Sequence, residues 1–263
     1  MPTNAFKAAL KGGQTRYGIW AGFANPYASE IVASFGYDWM LIDGEHAPND
    51  VQSVLSQLQA VAPYNTDVVV RSVNGHSDLI KQMLDIGVQT LMVPMVESAE
   101  QAQSLVRSMR YPPAGIRGVG GALTRATRWG DVPDYLASAH EELCLIVQVE
   151  SAKGVQSAGE IAAVDGVDAV FIGPADLSSS LGFPDNPDHP VVQEKIREVV
   201  DAVLRAGKVC GILAPREEDA RRYREWGCGF IAVGIDICLL RQAALENLQR
   251  YTGERCQEVS RTY

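Results

Sequence analysis

Long apolar runs are missing from this 263-residue chain, and no stretch approaches the length that crosses a bilayer. The first seven residues lack the apolar segment of a secretory signal. Positive charge is in deficit, with 23 Lys and Arg against 32 Asp and Glu for a net −9. A nucleic-acid or anionic-membrane surface wants the opposite balance, so neither partner is expected. Cysteine is sparse and forms no CxxC pair. Cys144, Cys210, Cys228, Cys238 and Cys256 are odd in number, and several sit in apolar runs. That favours buried free thiols in a reducing cytoplasm over disulfides or a cysteine zinc site. No GxGxxG or Walker A pattern follows an apolar run, which removes the usual cradles for dinucleotides and nucleotide phosphates. No GxSxG elbow occurs. None of Lys7, Lys11, Lys81, Lys153, Lys195 and Lys208 ends an apolar run, which disfavours an imine-forming lysine.

What is present is a set of apolar runs that end in charge. Met40-Leu41-Ile42 leads into Asp43-Gly44-Glu45-His46, and Val68-Val69-Val70 ends in Arg71. Leu145 to Val149 ends in Glu150, and Ala169 to Ile172 leads through Gly173-Pro174-Ala175 to Asp176. Burying an unpaired ion is costly, so four such endings with both signs predict one shared polar site at the mouth of a strand assembly. Strand-like runs fall at 17–24, 39–43, 67–71, 90–94, 143–150, 169–173, 209–213 and 230–234. Helical patterns lie between them, for example at 49–62, 77–85, 98–109, 191–206 and 217–226. Eight strand–helix units in about 250 residues predict a (β/α)8 barrel, with an open doubly wound sheet as the alternative. The reading is one domain over 1–251 and a polar, frayed tail over 252–263. The Gly/Pro/Arg-rich stretch 110–121 breaks the alternation. It is expected to be irregular and near the active face, as a substrate loop or a surface excursion.

Glu150 and Asp176, carboxylates from neighbouring strand ends, suit a hard cation such as Mg²⁺ or Mn²⁺. Each could instead pair with an arginine or cap the following helix. His46 is the best acid–base candidate, because Asp43 three residues earlier could orient its ring. A structural histidine is the equal alternative. Glu45 is ambiguous, and His76, His140 and His189 read as structural. Arg71 suits a substrate carboxylate or a developing enolate oxygen, with or without a salt bridge to a neighbouring acid.

Three segments carry a resemblance: Leu41 to Asn49 (LIDGEHAPN), Arg110 to Gly118 (RYPPAGIRG) and Phe171 to Leu177 (FIGPADL). Together they resemble the HpcH/HpaI aldolase family, over about residues 4–251. The resemblance implies a (β/α)8 barrel with its last helix exchanged between subunits, in homohexamers built as trimers of dimers. It implies Mg²⁺, Mn²⁺ or Co²⁺ held by Glu150 and Asp176, and no organic cofactor. Pyruvate would lie against Arg71, Gln148, Gly173, Pro174 and the amides near Ala175 and Asp176, with protons handled by His46 and Asp43. Trp20, Val119 and Leu213 would shape the aldehyde side, near the 117–121 loop, and Asp85 would lie near the subunit interface. The implied reaction is reversible cleavage of 4-hydroxy-2-oxo acids such as 4-hydroxy-2-oxoheptanedioate to pyruvate and a small aldehyde. Alternatives are aldol cleavage of 2-keto-3-deoxy sugar acids, hydroxypyruvate-type chemistry, a citrate-lyase-β-like reaction, and a non-catalytic barrel. The His46–Asp43 pair weighs against the citrate-lyase-like reading.

Overall fold

A computed structural model of the chain describes residues 3–252. Eight parallel strands close into a barrel in chain order: β1 (Arg16–Ala21), β2 (Trp39–Asp43), β3 (Asp67–Arg71), β4 (Thr90–Val93), β5 (Cys144–Val149), β6 (Ala169–Ile172), β7 (Val209–Leu213) and β8 (Phe230–Ile235). Outside lie α2 (Pro26–Ala33), α3 (Val51–Val61), α4 (Ser77–Asp85), α5 (Ala99–Met109), α6 (Tyr135–Glu142), α7 (Ala152–Ala163), α8 (Pro174–Ser180), α9 (Pro190–Arg205) and α10 (Glu217–Glu225). The chain opens on α1 (Ala5–Leu10), and α11 (Asp236–Thr252) follows β8. Among the described residues no helix is long and apolar enough to cross a membrane. Cys144, Cys210 and Cys228 are buried and free, Cys238 is free but exposed, and Cys256 lies outside the described residues.

Two-residue alternation explains how an apolar barrel acquires a polar mouth. Leu41, Val69 and Ile146 pack inside the barrel, whereas Ile42, Val70 and Val147 pack outward against the helices. The next inward positions are therefore Asp43, Arg71 and Gln148, and one further step on β5 reaches Glu150. Asp43 and Arg71 are also register partners across β2 and β3, which sets them side by side. At the amino ends α1 plugs the barrel. Phe6 meets Phe230 and Trp39 edge-on at centroid distances of 5.6 and 5.9 Å, an attractive geometry for aromatic rings. Asn4 Nδ2 donates to Thr90 Oγ1 (3.0 Å) and Lys7 Nζ to the Leu143 carbonyl (2.7 Å), which fastens the plug.

Three expectations are corrected. The first strand ends at Ala21, because the N–H groups of Gly22 and Phe23 donate to the Asp236 carboxylate and Ala24 adopts a left-handed φ of 52°. Thr252, placed in a frayed tail by sequence, is the last residue of α11, and the rest of that tail lies outside the described residues. The 110–121 stretch is irregular through Gly120, but it does not sit at the active face. Helix α5 runs antiparallel to the strands and delivers Arg110 to their amino ends. There Arg117 Nη2 donates to Asp85 Oδ1 (2.7 Å) at the end of α4. The Arg117 guanidinium, wholly buried, lies 4.6 Å above the Tyr111 ring.

Candidate active site

At the carboxyl ends of the strands a cavity of about 560 Å³ opens between Trp20, Asp43, His46, Arg71, Gln148, Glu150, Phe171, Pro174, Ala175, Asp176, Leu213 and the start of α11. Its polar side is organised by Arg71, which is 6% exposed. The guanidinium forks onto Asp43, with Nε donating to Oδ1 (2.8 Å) and Nη2 to Oδ2 (2.6 Å). Its third nitrogen, Nη1, lies 2.8 Å from Glu45 Oε2. Burial works to raise the Asp43 pKa, but the hydrogen bond and charge of Arg71 prevail and hold it below the usual value. Burial likewise works against the Arg71 charge, and Asp43 with Glu45 outweighs it. Both groups are therefore ionised at neutral pH, and the bidentate geometry fixes the guanidinium plane.

Sequence expects Asp43 to orient the His46 ring, and the structure corrects this. The Asp43 carboxylate is already occupied by Arg71, by Trp20 Nε1 (3.1 Å) and by the Glu45 N–H (2.9 Å). It reaches His46 only through the backbone N–H, at 3.4 Å. The His46 ring, 58% exposed, instead has Nε2 3.8 Å from Glu45 Oε2. Glu45, ambiguous in sequence, thus joins Arg71 to His46. Burial raises its pKa, opposed by the charges of Arg71 and His46. Gly44 lets the turn pass, since a Cβ there would stand 2.5 Å from the Arg71 carbonyl oxygen.

Glu150 is 2% exposed. Its Oε1 accepts from the Met95 N–H (2.8 Å) and its Oε2 from Gln148 Nε2 (2.9 Å). Burial pushes its pKa up to about 7, with the Met95 hydrogen bond opposing and the negative charges of Asp176 and Glu45 adding. Among the described residues Gln148 Oε1 is buried with no hydrogen-bond partner. Asp176 lies in the first turn of α8, exposed, on the cavity wall. Gly173 brings α8 close, because a Cβ there would stand 2.2 Å from Glu150 Oε2. Met95 and Gly173 act through backbone and absence of side chain, which sequence reveals only as a turn after a strand.

Trp20 and Leu213 line the cavity, and Val119 does not. Val119 is exposed beside α4, and Asp85 holds Arg117 at the opposite end of the barrel from Glu150, for the helix-direction reason given above. His189 Nδ1 accepts from the Val191 N–H at the start of α9, a structural role. Among the described residues no cluster of three or more His, Cys, Asp or Glu is arranged as a metal site, so a cation here would rest on two carboxylates plus amide, water or substrate oxygens.

The family model for HpcH/HpaI aldolase/citrate lyase matches residues 16–243. A protein from Delftia acidovorans named hydroxypyruvate/pyruvate aldolase is 67% identical, over 100% of this chain and 99% of its own length. One from Salmonella arizonae named 4-hydroxy-2-oxo-heptane-1,7-dioate aldolase is 52% identical, over 96% of each chain. The crystal structure of an HpcH/HpaI aldolase/citrate lyase family protein from Burkholderia cenocepacia superposes with a TM-score of 0.91 at 42% identity, over 94% of this chain and 99% of that one. Barrel, site and these likenesses agree: the chain belongs to the HpcH/HpaI aldolase/citrate lyase family.

Proposed function

We propose that the chain is a divalent-metal-dependent aldolase that reversibly cleaves 4-hydroxy-2-oxo acids to pyruvate and an aldehyde. The carrying observation is the gathering of Arg71, Gln148, Glu150 and Asp176 around one cavity, with Gln148 hydrogen-bonded to Glu150. The fit to a divalent ion rests on the donor set. Glu150 is a buried carboxylate facing the negative charge of Asp176, and among the described residues Gln148 Oε1 is a buried acceptor without a partner. Glu150 and Asp176 would hold the ion, and Mg²⁺, Mn²⁺ and Co²⁺ all accept such oxygens. When bound, the ion supplies Lewis-acid stabilisation of negative charge on the 2-oxo oxygen.

The chain's own residues do the rest. In cleavage His46, with Glu45 at its ring, takes the C4 hydroxyl proton. The C3–C4 bond breaks, its electron pair passes to the 2-oxo oxygen, and the aldehyde leaves. Arg71, held rigid by Asp43 and Glu45, offers a fixed cation to the developing enolate. A proton returned to C3 completes pyruvate. The amides at the start of α8, near Ala175 and Asp176, take the substrate carboxylate. Trp20, Phe171, Leu213 and Ile235 form the apolar side, suited to an aldehyde chain. Hydroxypyruvate as an alternative donor is supported by the name of the 67%-identical relative.

Assembly belongs to the same proposal. Helix α11 buries only Asp236 and leaves Leu239, Leu240 and Leu248 exposed, while Tyr27, Ile31 and Phe35 stand exposed on and after α2. An exchanged α11 in a homohexamer would cover such surfaces. The test of the reaction is pyruvate release from 4-hydroxy-2-oxoheptanedioate, read with lactate dehydrogenase. Release should vanish with EDTA and return with Mg²⁺ or Mn²⁺. Release indifferent to chelator would overturn the Glu150–Asp176 assignment.

A further inference from the structure

A second, small cavity of about 60 Å³ lies behind the apolar side of the first. The two share Pro174, Ala175 and Leu213, so these residues form a partition with open space on both sides. Leu213 is paired with Ala232 of β8, and with open space behind its side chain its position also depends on restraints around that space. The far side of the small cavity supplies one. Arg216, three residues beyond Leu213, donates from Nη2 to Asp188 Oδ1 and from Nε to Asp219 Oδ2. Asp188 belongs to the segment between α8 and α9, and Asp219 to the first turn of α10. One guanidinium therefore ties together the chain leaving β7, the chain arriving from α8, and the start of α10.

Each anchor is itself fastened. Asp219, 6% exposed, also accepts from Arg222 Nη2 (2.5 Å). Pro187, next to Asp188, has its carbonyl held by Gln193 Nε2 (2.9 Å), which also reaches the Tyr223 hydroxyl (2.9 Å). Ala214 is pinned to β8 by its N–H on the Ala232 carbonyl (2.8 Å). The one adjustable joint is Arg216 itself, whose side chain is 36% exposed, as Asp188's is 50%. Arg216 lines the second cavity and not the first, which keeps it out of the chemistry.

We infer that Arg216 is a positioning residue that sets the width of the acceptor side of the cavity, and so selects among aldehydes by length and bulk. This rests on the aldolase reading. Release of Arg216 from Asp188 lets Leu213, at the end of β7, yield into the second cavity, and longer acceptors gain room. The start of α8, which takes the donor carboxylate, keeps its own restraint, the Ser178 hydroxyl on the Ala175 carbonyl (2.8 Å), so recognition of the donor is unaffected.

The test compares the metal-loaded protein with Arg216→Ala, Arg216→Lys and Asp188→Asn. Two readouts are taken: kcat/KM for the aldol addition of pyruvate to acetaldehyde, butanal and succinic semialdehyde, and exchange of the pyruvate methyl protons with deuterated water, which needs no aldehyde. Arg216→Ala and Asp188→Asn should shift the ratio of long to short aldehydes by about threefold or more, within the range that small pocket changes give. Methyl exchange should stay within about twofold, as a donor side left intact requires. Arg216→Lys, able to reach one carboxylate but not both, should fall between. Aldehyde ratios unchanged in both Arg216→Ala and Asp188→Asn overturn the inference. So does a parallel fall in exchange and in every aldehyde's kcat/KM, which marks a general loss of structure. Failure of the unmodified protein to exchange pyruvate protons is a separate result that overturns the aldolase reading itself.

Discussion

Replacing Gly173 with alanine tests whether the position of the Glu150 carboxylate limits the reaction. The backbone at Gly173 has φ −97°, which alanine adopts freely, so the substitution carries no conformational strain of its own. All of its effect comes from the added methyl. That atom would stand 2.2 Å from Glu150 Oε2, 3.1 Å from Glu150 Cβ and 3.3 Å from Cδ. Ordinary contact requires the oxygen to retreat by about 1 Å. The retreat also stretches the Gln148 Nε2 hydrogen bond to the same oxygen, now 2.9 Å. A misplacement of that size at a catalytic group costs about a hundredfold in rate, or about 2.7 kcal/mol of barrier. The assay is kcat/KM for pyruvate release at saturating Mg²⁺, with the apparent Mg²⁺ affinity measured alongside. Glu150→Asp provides the internal check, because its carboxylate is drawn back by one methylene from the offending methyl. Glu150→Asp alone should lose activity, but in the Gly173→Ala background its further cost should shrink, giving a coupling of about 1–3 kcal/mol. Full activity in Gly173→Ala, or strict additivity in the double variant, would refute the steric argument.

Two other outcomes follow from features of the same structure. In metal-free protein the folded pKa of Glu150, about 7, stands above the ordinary 4.5, so the folded state keeps a proton that the unfolded chain releases. Stability from this group is complete below about pH 4.5 and is lost as pH rises through 7, by about 3 kcal/mol. Urea denaturation from pH 5 to 8 should show that decline, and Glu150→Gln should flatten it; equal slopes in both proteins would disprove the assignment. For assembly, Leu240→Asp combined with Leu248→Asp should lower the particle mass seen by light scattering, and an unchanged mass would exclude α11 from the interface.

Much of the barrel was legible because each strand is a short apolar run, and four of the eight lead into a charge. The inward positions of Asp43 and Arg71 follow from period two, and their pairing from strand register. What sequence could not supply was who faces whom beyond that pairing. Spacing of three residues suggested Asp43 for the His46 ring, but Arg71 and Trp20 claim that carboxylate first, and Glu45 takes the ring's side. The 110–121 stretch was legible as irregular, yet its end of the barrel depends on the direction of α5 and on the pairing of buried Arg117 with Asp85, which composition does not encode. Arg216 was silent for a similar reason: its meaning lies in Asp188, 28 positions away in the chain.

The plug formed by α1 makes the barrel a vessel with a single door. Phe6, Trp39, Phe171 and Phe230 fill its floor, so traffic passes through the mouth alone. Glu150 and the apolar residues Trp20, Phe171 and Leu213 open on that one cavity, so donor and acceptor would share a single way in and out.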